Sequence, residues 1–421
     1  MIYVHIPFCR SFCTYCDFYS EIASRCSAVE AEKFEQFAQA LSAEVALRAG
    51  EITDEIKTLY IGGGTPSVLP LSVFERLLEV LREHGHGGPF KEFTVEVNPE
   101  DIVQKGESYV KGLVSLGVNR ISMGVQSFDD GILKWMNRRH DSATAREAYR
   151  ILEDAGVQNI SIDLIFGLSQ LTDEQWNETL DKALGISSRG RLPQHISAYQ
   201  LSVEPGSALA NLVDRGQWSE ATEELCSRQY DMLCERLREA GYHHYEISNF
   251  AQPGFEAVHN SAYWTHHPYI GLGPGAHSYL SASRQCVPMV PSQQSWAPPP
   301  TRGCENAIST HMASSQEERV SHIRQWNEAD LDMYCKAAKD GDFIQVQGCE
   351  ELTEEQLVME RIMLGLRTSA GLPEAYVREH CDCTQVDEAL RCGNLIQVDG
   401  GIIRIPENRF FISDSIISSI I

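Results

Sequence analysis

No stretch of this 421-residue chain approaches the roughly 20 consecutive apolar residues that a membrane-spanning helix needs. The final segment, 412–421, is apolar but broken by Ser413, Asp414, Ser415, Ser418 and Ser419. Basic residues are scarce: 35 Lys and Arg stand against 59 Asp and Glu, a formal charge of -24. Such a surface repels phosphate backbones and anionic lipid. The densest basic cluster, Asn137-Arg138-Arg139-His140, is too short for a nucleic-acid footprint. A signal-peptide pattern is missing as well, because the N-terminus runs straight into Ile2-Tyr3-Val4-His5-Ile6, which reads as a strand. The 13 cysteines are therefore expected to be thiols in a reducing compartment rather than a disulfide framework. The expectation is a cytoplasmic protein without an integral membrane segment, or a mitochondrial or plastid one if a presequence has been removed.

What the chain has is enough apolar material for a substantial core, at 43%. Short apolar runs at 2–6, 58–61, 93–97, 120–123, 160–165 and 196–201 alternate with amphipathic stretches. Phe34, Phe37, Leu41 and Val45 give one helical face, and Val73, Leu77, Leu78 and Leu81 another. Val110, Leu113 and Val114 precede a stop at Gly117, as Ala148, Ile151, Leu152 and Ala155 precede Gly156. Alternating strand and helix implies an α/β fold with a parallel sheet and right-handed crossovers, either doubly wound or an incomplete TIM-like barrel.

After about residue 220 the pattern changes. Residues 221–280 begin with a helix and become rich in aromatics, histidine and glycine. Residues 281–321 turn to Pro, Ser, Gln and Thr, and are expected to form a disordered insertion. Residues 322–421 read as a smaller, mainly helical domain, with helices at 354–366 and 373–380. Its last strands, 395–398 and 402–405, flank the turn Asp399-Gly400-Gly401.

The first strand leads into Cys9-Arg-Ser-Phe-Cys13-Thr-Tyr-Cys16. Thiolates suit zinc or iron–sulfur clusters, but this spacing is not the paired CxxC of a zinc ribbon. Three ligands on a four-iron cube would leave one iron open. Tyr60-Ile61-Gly62-Gly63-Gly64-Thr65-Pro66 ends the second strand, and three successive glycines let a ligand approach the backbone. Polar residues sit at the ends of later strands, where an α/β barrel keeps its active site: Glu96, Asn98, Gln126 and Asp163. Asp163, amid Ile162, Leu164 and Ile165, is costly to bury without a partner.

Together these strings resemble the radical S-adenosylmethionine (SAM) superfamily. In particular they resemble the branch holding oxygen-independent coproporphyrinogen dehydrogenase and the HemW-type haem chaperones, which Tyr3-Val4-His5-Ile6-Pro7-Phe8-Cys9 and Met136-Asn137-Arg138 also match. The resemblance implies a partial (β/α)6 TIM-like radical SAM barrel over 1–220, a barrel-associated segment over 221–280 and a C-terminal domain of that branch over 322–421. It implies a [4Fe–4S] cluster on Cys9, Cys13 and Cys16, with Tyr3 packed nearby. It places Gly63, Gly64, Thr65 and Glu96 at the methionine part of SAM, Arg138 at its carboxylate, and Gln126 and Asp163 at its ribose.

Two departures separate the chain from the dehydrogenase. Asp17 and Phe18 follow Cys16, where the dehydrogenase has a further cysteine. Only eight residues precede Cys9, where the dehydrogenase has an extension. His259-Asn260-Ser261-Ala262-Tyr263-Trp264 is similar to the HNxxYW motif of the chaperone group, making His259 a possible haem ligand beside His266, His267 and His277. Cys381, Cys383 and Cys392 carry no such pattern. The resemblance thus implies a haem chaperone that binds haem, a cluster and SAM and hands haem to acceptor proteins. The rival is a radical enzyme of porphyrin biosynthesis that oxidatively decarboxylates coproporphyrinogen III.

Overall fold

The computed structural model describes residues 1–23, 27–281 and 322–421. Apart from Ser281, the expected insertion lies outside the described residues. Six strands, β1 (Ile2–Ile6), β2 (Thr58–Gly63), β3 (Glu92–Val97), β4 (Arg120–Gln126), β5 (Ile160–Phe166) and β6 (His195–Gln200), pair side by side and in parallel. Each precedes a helix: α1 (Ser27–Leu47), α2 (Leu71–Glu83), α3 (Pro99–Ser115), α4 (Ser142–Asp154), α5 (Asp173–Leu184) and α6 (Glu223–Glu239). This is the six-unit α/β arrangement expected from the sequence.

The sheet extends further than the periodicity suggested. At one edge β6 continues antiparallel into β7 (His243–Glu246) and β8 (Asn249–Ala251), with β8 next to β6. At the other, β9 (Ile270–Leu272) adds a parallel strand beside β1. The order β9-β1-β2-β3-β4-β5-β6-β8-β7 leaves the barrel open. The glycine-rich segment 271–275 shows no strand in the sequence pattern, but its first residues belong to β9. Three residues are too few to show a period, yet they extend the sheet.

The helix faces bury as the spacing predicts: Phe34, Phe37, Leu41 and Val45 of α1 are all inside, as are Val73, Leu77 and Leu81 of α2. Val114 is an exception, lying exposed on the outer side of α3. Helix starts are fixed by side-chain caps. Asp141 accepts from Thr144 N, and Thr172 forms a reciprocal capping box with Gln175.

Beyond the barrel, β10 (His277–Ser281), β11 (His322–Asn327) and β12 (Gln347–Leu352) form an antiparallel sheet. α7 (Val258–Trp264) precedes it; α8 (Leu331–Asp340) and α9 (Glu354–Gly365) complete the surroundings. Strands Ile396–Val398 and Ile402–Arg404 make the expected hairpin, with Gly400 and Gly401 at positive φ in its turn. Glu44 of α1, fully buried, knits these parts together. Its carboxylate accepts from Gly273 N at 2.8 Å, Asn327 Nδ2 at 2.7 Å and the Tyr334 hydroxyl at 2.7 Å. Among the described residues no helix is long and apolar enough to cross a membrane.

Candidate functional site

A cavity of ≈ 590 Å³ opens at the C-terminal ends of the parallel strands. Its wall draws on β2 through β6 and on the loop after β1, so the sheet curls around it as a barrel does. Cys9, Cys13, Cys16, Gly63, Gly64, Thr65, Glu96, Gln126, Arg138 and Asp163 all line it. The three cysteines, the glycine run and the strand-end carboxylates, up to 154 residues apart, thus meet in one place.

The cysteine loop is held at both ends. Phe8–Cys9 pairs in parallel with Glu21–Ile22, closing the intervening residues into a loop. Its middle is tied to 135–138: Thr14 N donates to Met136 O at 3.1 Å, the Thr14 hydroxyl to Trp135 O at 2.9 Å, and Asn137 Nδ2 to Phe12 O at 2.7 Å. Asn137 adopts a left-handed backbone, φ 58°, to reach it. Arg138 then directs Nη1 to Cys13 Sγ at 3.4 Å and Nη2 to Gly124 O at 2.7 Å and to Asn98 Oδ1. Cys9 Sγ lies 3.4 Å from the Thr65 hydroxyl.

Burial pushes the Cys9 thiol up and the Cys16 thiol up to about 12, and the neighbouring cysteines add to this. Two such buried thiols ionise together only with positive charge nearby, which a metal centre would supply. Among the described residues no three His, Cys, Asp or Glu side chains close on one ion-sized position. The cysteines instead spread over a cavity wall, an arrangement that suits a cube held at three corners. The three thiols, with Arg138 beside Cys13 and the Thr65 hydroxyl beside Cys9, fit an iron–sulfur cluster.

The glycines are explained by the protein's own packing. A Cβ on Gly64 would lie 2.7 Å from Phe8 O and 2.8 Å from Ile6 O, both backbone atoms. Gly63, at φ 107°, would collide with the His5 ring. The tight approach lets Gly64 N and Thr65 N bond Ile6 O and Phe8 O, fixing the cysteine loop to β2. Gly64→Ala is therefore expected to destabilise the protein by about 2–4 kcal/mol, measurable by denaturant unfolding, because backbone cannot yield as a side chain can.

Glu96 accepts from the Tyr60 hydroxyl at 2.7 Å and Gly63 N at 3.1 Å. Burial raises its carboxyl to about 7, and the nearby Asp163 adds to the shift. Asp163 accepts from the Ser122 hydroxyl at 3.1 and 3.2 Å; burial raises it too, while Ser197 and Arg120 oppose the rise. Gln126 ends β4 at φ 68°, where the register against β5 slips by one residue and turns its side chain into the cavity wall. Tyr3 does not line the cavity. Its hydroxyl lies 3.0 Å from His5 Nδ1, and His5 Nε2 bonds Tyr19 O at 2.8 Å, so it reaches the cysteine loop through His5.

Sequence reasoning missed the rest of the wall: Tyr15, Tyr60, Arg120, Ser122, Ser197 and Tyr199. A signal existed. Thr58, Tyr60, Arg120, Ser122, Ser161, Asp163, His195, Ser197 and Tyr199 alternate with apolar residues along four strands, so the barrel interior is polar where branched apolar layers are usual.

His259 sits below this interior rather than at its mouth. It is 1% exposed, with Nδ1 2.8 Å from the Thr58 hydroxyl and Nε2 3.0 Å from the Tyr263 hydroxyl. Glu92 receives the Val258 and His259 amides, anchoring α7 to β3. His266 instead pairs with Glu360 of α9 at 2.9 Å and stacks on Tyr279. The ten cysteines among the described residues are free, Cys381, Cys383 and Cys392 included.

An open parallel sheet carrying three cysteines and a glycine run at its C-terminal rim defines a radical SAM protein, and the sequence profile of the Radical SAM superfamily matches residues 3–183. The chain is 37% identical over 282 residues to the protein named Heme chaperone HemW of Lactococcus lactis, covering 67% of this chain and 70% of that one. It is 31% identical to the Synechocystis protein of the same name over 370 residues, 88% and 78% of the two chains. The chain belongs to the HemW family of the radical SAM superfamily. The solved coproporphyrinogen III oxidase HemN of Escherichia coli shares its fold, with a TM-score of 0.72 over 99% of this chain and 89% of that one at 20% identity.

Proposed function

We propose that this protein is a haem chaperone, which binds a [4Fe–4S] cluster on Cys9, Cys13 and Cys16 and SAM in the adjoining cavity, and passes haem to acceptor proteins. The family membership supports the class, through relatives named as heme chaperones. The observation that carries the reading is the cavity mouth. Phe12, Phe18 and Tyr199 stand there 54%, 65% and 43% exposed, an aromatic rim suited to a flat macrocycle. Phe18 sits on the cysteine loop where a decarboxylase of this branch carries another cysteine.

When bound, the cluster supplies an open iron for SAM and an electron for cleaving its sulfonium bond. The chain's own groups do the holding. Arg138 donates toward Cys13 and offsets thiolate charge. Gly63, Gly64 and Thr65 bring backbone against the methionine part of SAM, Glu96 offers a carboxylate to its amino group, and Gln126 and Asp163 face its ribose. Arg138, committed to Cys13, Asn98 and Gly124, keeps Nε buried and unpartnered among the described residues, leaving a donor for a ligand carboxylate. The free thiols among the described residues support a reducing compartment, the cytoplasm or an organelle matrix.

Iron ligation by His259 would require one of its two ring bonds to break and the buried ring to open to the ligand. His259→Ala is expected to cost about 2–3 kcal/mol of stability, as buried Thr58 loses its partner and a cavity opens, and to leave the haem Soret maximum in place. A displaced Soret band would instead give the iron to His259, as its motif implies.

The function is tested by anaerobic incubation of reconstituted protein with SAM and either haem or coproporphyrinogen III. Tight haem binding without porphyrinogen turnover is expected. Stoichiometric 5′-deoxyadenosine with loss of propionate carboxyls would make the protein an oxidative decarboxylase.

A further inference from the structure

The least satisfied group in the barrel is Arg120, at the start of β4. Its side chain is 1% exposed and lines the cavity floor, yet Nε and Nη1 are buried without a hydrogen-bond partner among the described residues. Thr94, its register partner on β3, is fully buried, and its hydroxyl is unpartnered too. A buried guanidinium is costly unless something compensates it. Strand geometry shows what does. Two residues further along β3 and β4 come Glu96 and Ser122, and Ser122 donates to Asp163 on β5. Arg120 therefore lies one layer below both carboxylates that face the ligand space.

We infer that Arg120 is a positioning residue for SAM: its buried, unpartnered guanidinium, one strand layer below Glu96 and Asp163, favours the negative cradle that the two carboxylates offer a cationic ligand. This rests on the proposal that the cavity binds SAM, whose ammonium and sulfonium are the cations. Of the other groups facing the two carboxylates, Arg138 also brings positive charge to Asp163, while Tyr60 and Gly63 N give Glu96 neutral hydrogen bonds. Tyr60 on β2 donates a hydrogen bond to Glu96, and Tyr3 on β1 and Tyr199 on β6 contribute phenols. Arg138 reaches Asp163 from above but is committed to Cys13, Asn98 and Gly124. Below, Arg120 faces His195, Tyr245 and His259, none of them an anion at neutral pH.

The sign follows. A carboxyl raised by burial binds a cation when deprotonated, so SAM affinity rises with pH through the Glu96 titration near 7 and falls below it. Removing Arg120 lifts that titration further.

The test is equilibrium dialysis of labelled SAM against cluster-loaded full-length protein from pH 6 to 8.5. Wild type, Arg120→Gln and Arg120→Lys are compared, with iron content and melting temperature measured alongside. Arg120→Gln is expected to bind SAM about fivefold more weakly at pH 7, with its pH midpoint about one unit higher. Arg120→Lys, keeping the charge, should stay near wild type. A parallel pH profile in Arg120→Gln, or Arg120→Lys behaving like Arg120→Gln, would overturn the inference. Wild-type protein that fails to bind SAM would instead overturn the proposed function. If Arg120→Gln alone does not fold, the pair Arg120→Gln/Glu96→Gln removes cation and carboxylate together and is expected to fold. Failure of that pair would make Arg120 a packing residue and overturn the inference.

Discussion

Replacing Cys13 with alanine is expected to abolish the brown iron–sulfur chromophore after anaerobic reconstitution. Cys13 is the middle one of the three cysteines, and it is also the thiol that Arg138 contacts. Its loss removes one of three anchors and leaves the guanidinium facing an empty corner. A cube bound at only two protein corners has two exposed irons and is lost to chelators and oxygen. The fold should survive, because the loop is anchored by Thr14 and Asn137 and by the Cys9 backbone rather than by the Cys13 side chain. Iron and sulfide analysis reads the result directly. Iron content equal to wild type, with an unchanged spectrum, would refute the cluster assignment.

Asp163→Ala should separate the two ligands. Its carboxylate faces the cavity from β5 and accepts from Ser122, away from the cysteine loop. If it holds the ribose hydroxyls, truncation removes charge-assisted hydrogen bonds worth about 1.5–3 kcal/mol. SAM binding should then weaken about 10- to 150-fold, while cluster content is unchanged. Equal SAM affinity in the two proteins would remove Asp163 from the ribose. The same substitution leaves Ser122 without its acceptor and relieves Glu96 of a neighbouring anion. The residual SAM binding should therefore titrate at lower pH than in wild type.

The parts of the fold that could be read from the sequence were those that repeat. Strands buried on both faces show as apolar runs, and the helices between them carry faces such as Phe34-Phe37-Leu41-Val45, so six units stand out. The three-residue strand Ile270–Leu272 does not, being shorter than one reading window. Cavity-lining residues were legible where an unusual type stands out, as with the cysteines and Asp163. Tyr60, Ser197 and Arg120 were not, since each is unremarkable alone and gains meaning only when neighbouring strands set it in a layer. His259 shows the converse. Its motif was visible, but only the structure shows that Thr58 and Tyr263 occupy both nitrogens, because neither bond follows from spacing alone.

Glu44 bears on the order in which this protein is made. Its carboxylate sits in the first helix, but its hydrogen-bond donors, Gly273, Asn327 and Tyr334, leave the ribosome some 230 to 290 residues later. Until they arrive, only Arg48, one turn along the same helix, offsets the penalty of burying this carboxylate, so seating the inner face of α1 gains most of its polar partners late in synthesis. The seat of the first helix is thus completed by residues from the second half of the chain.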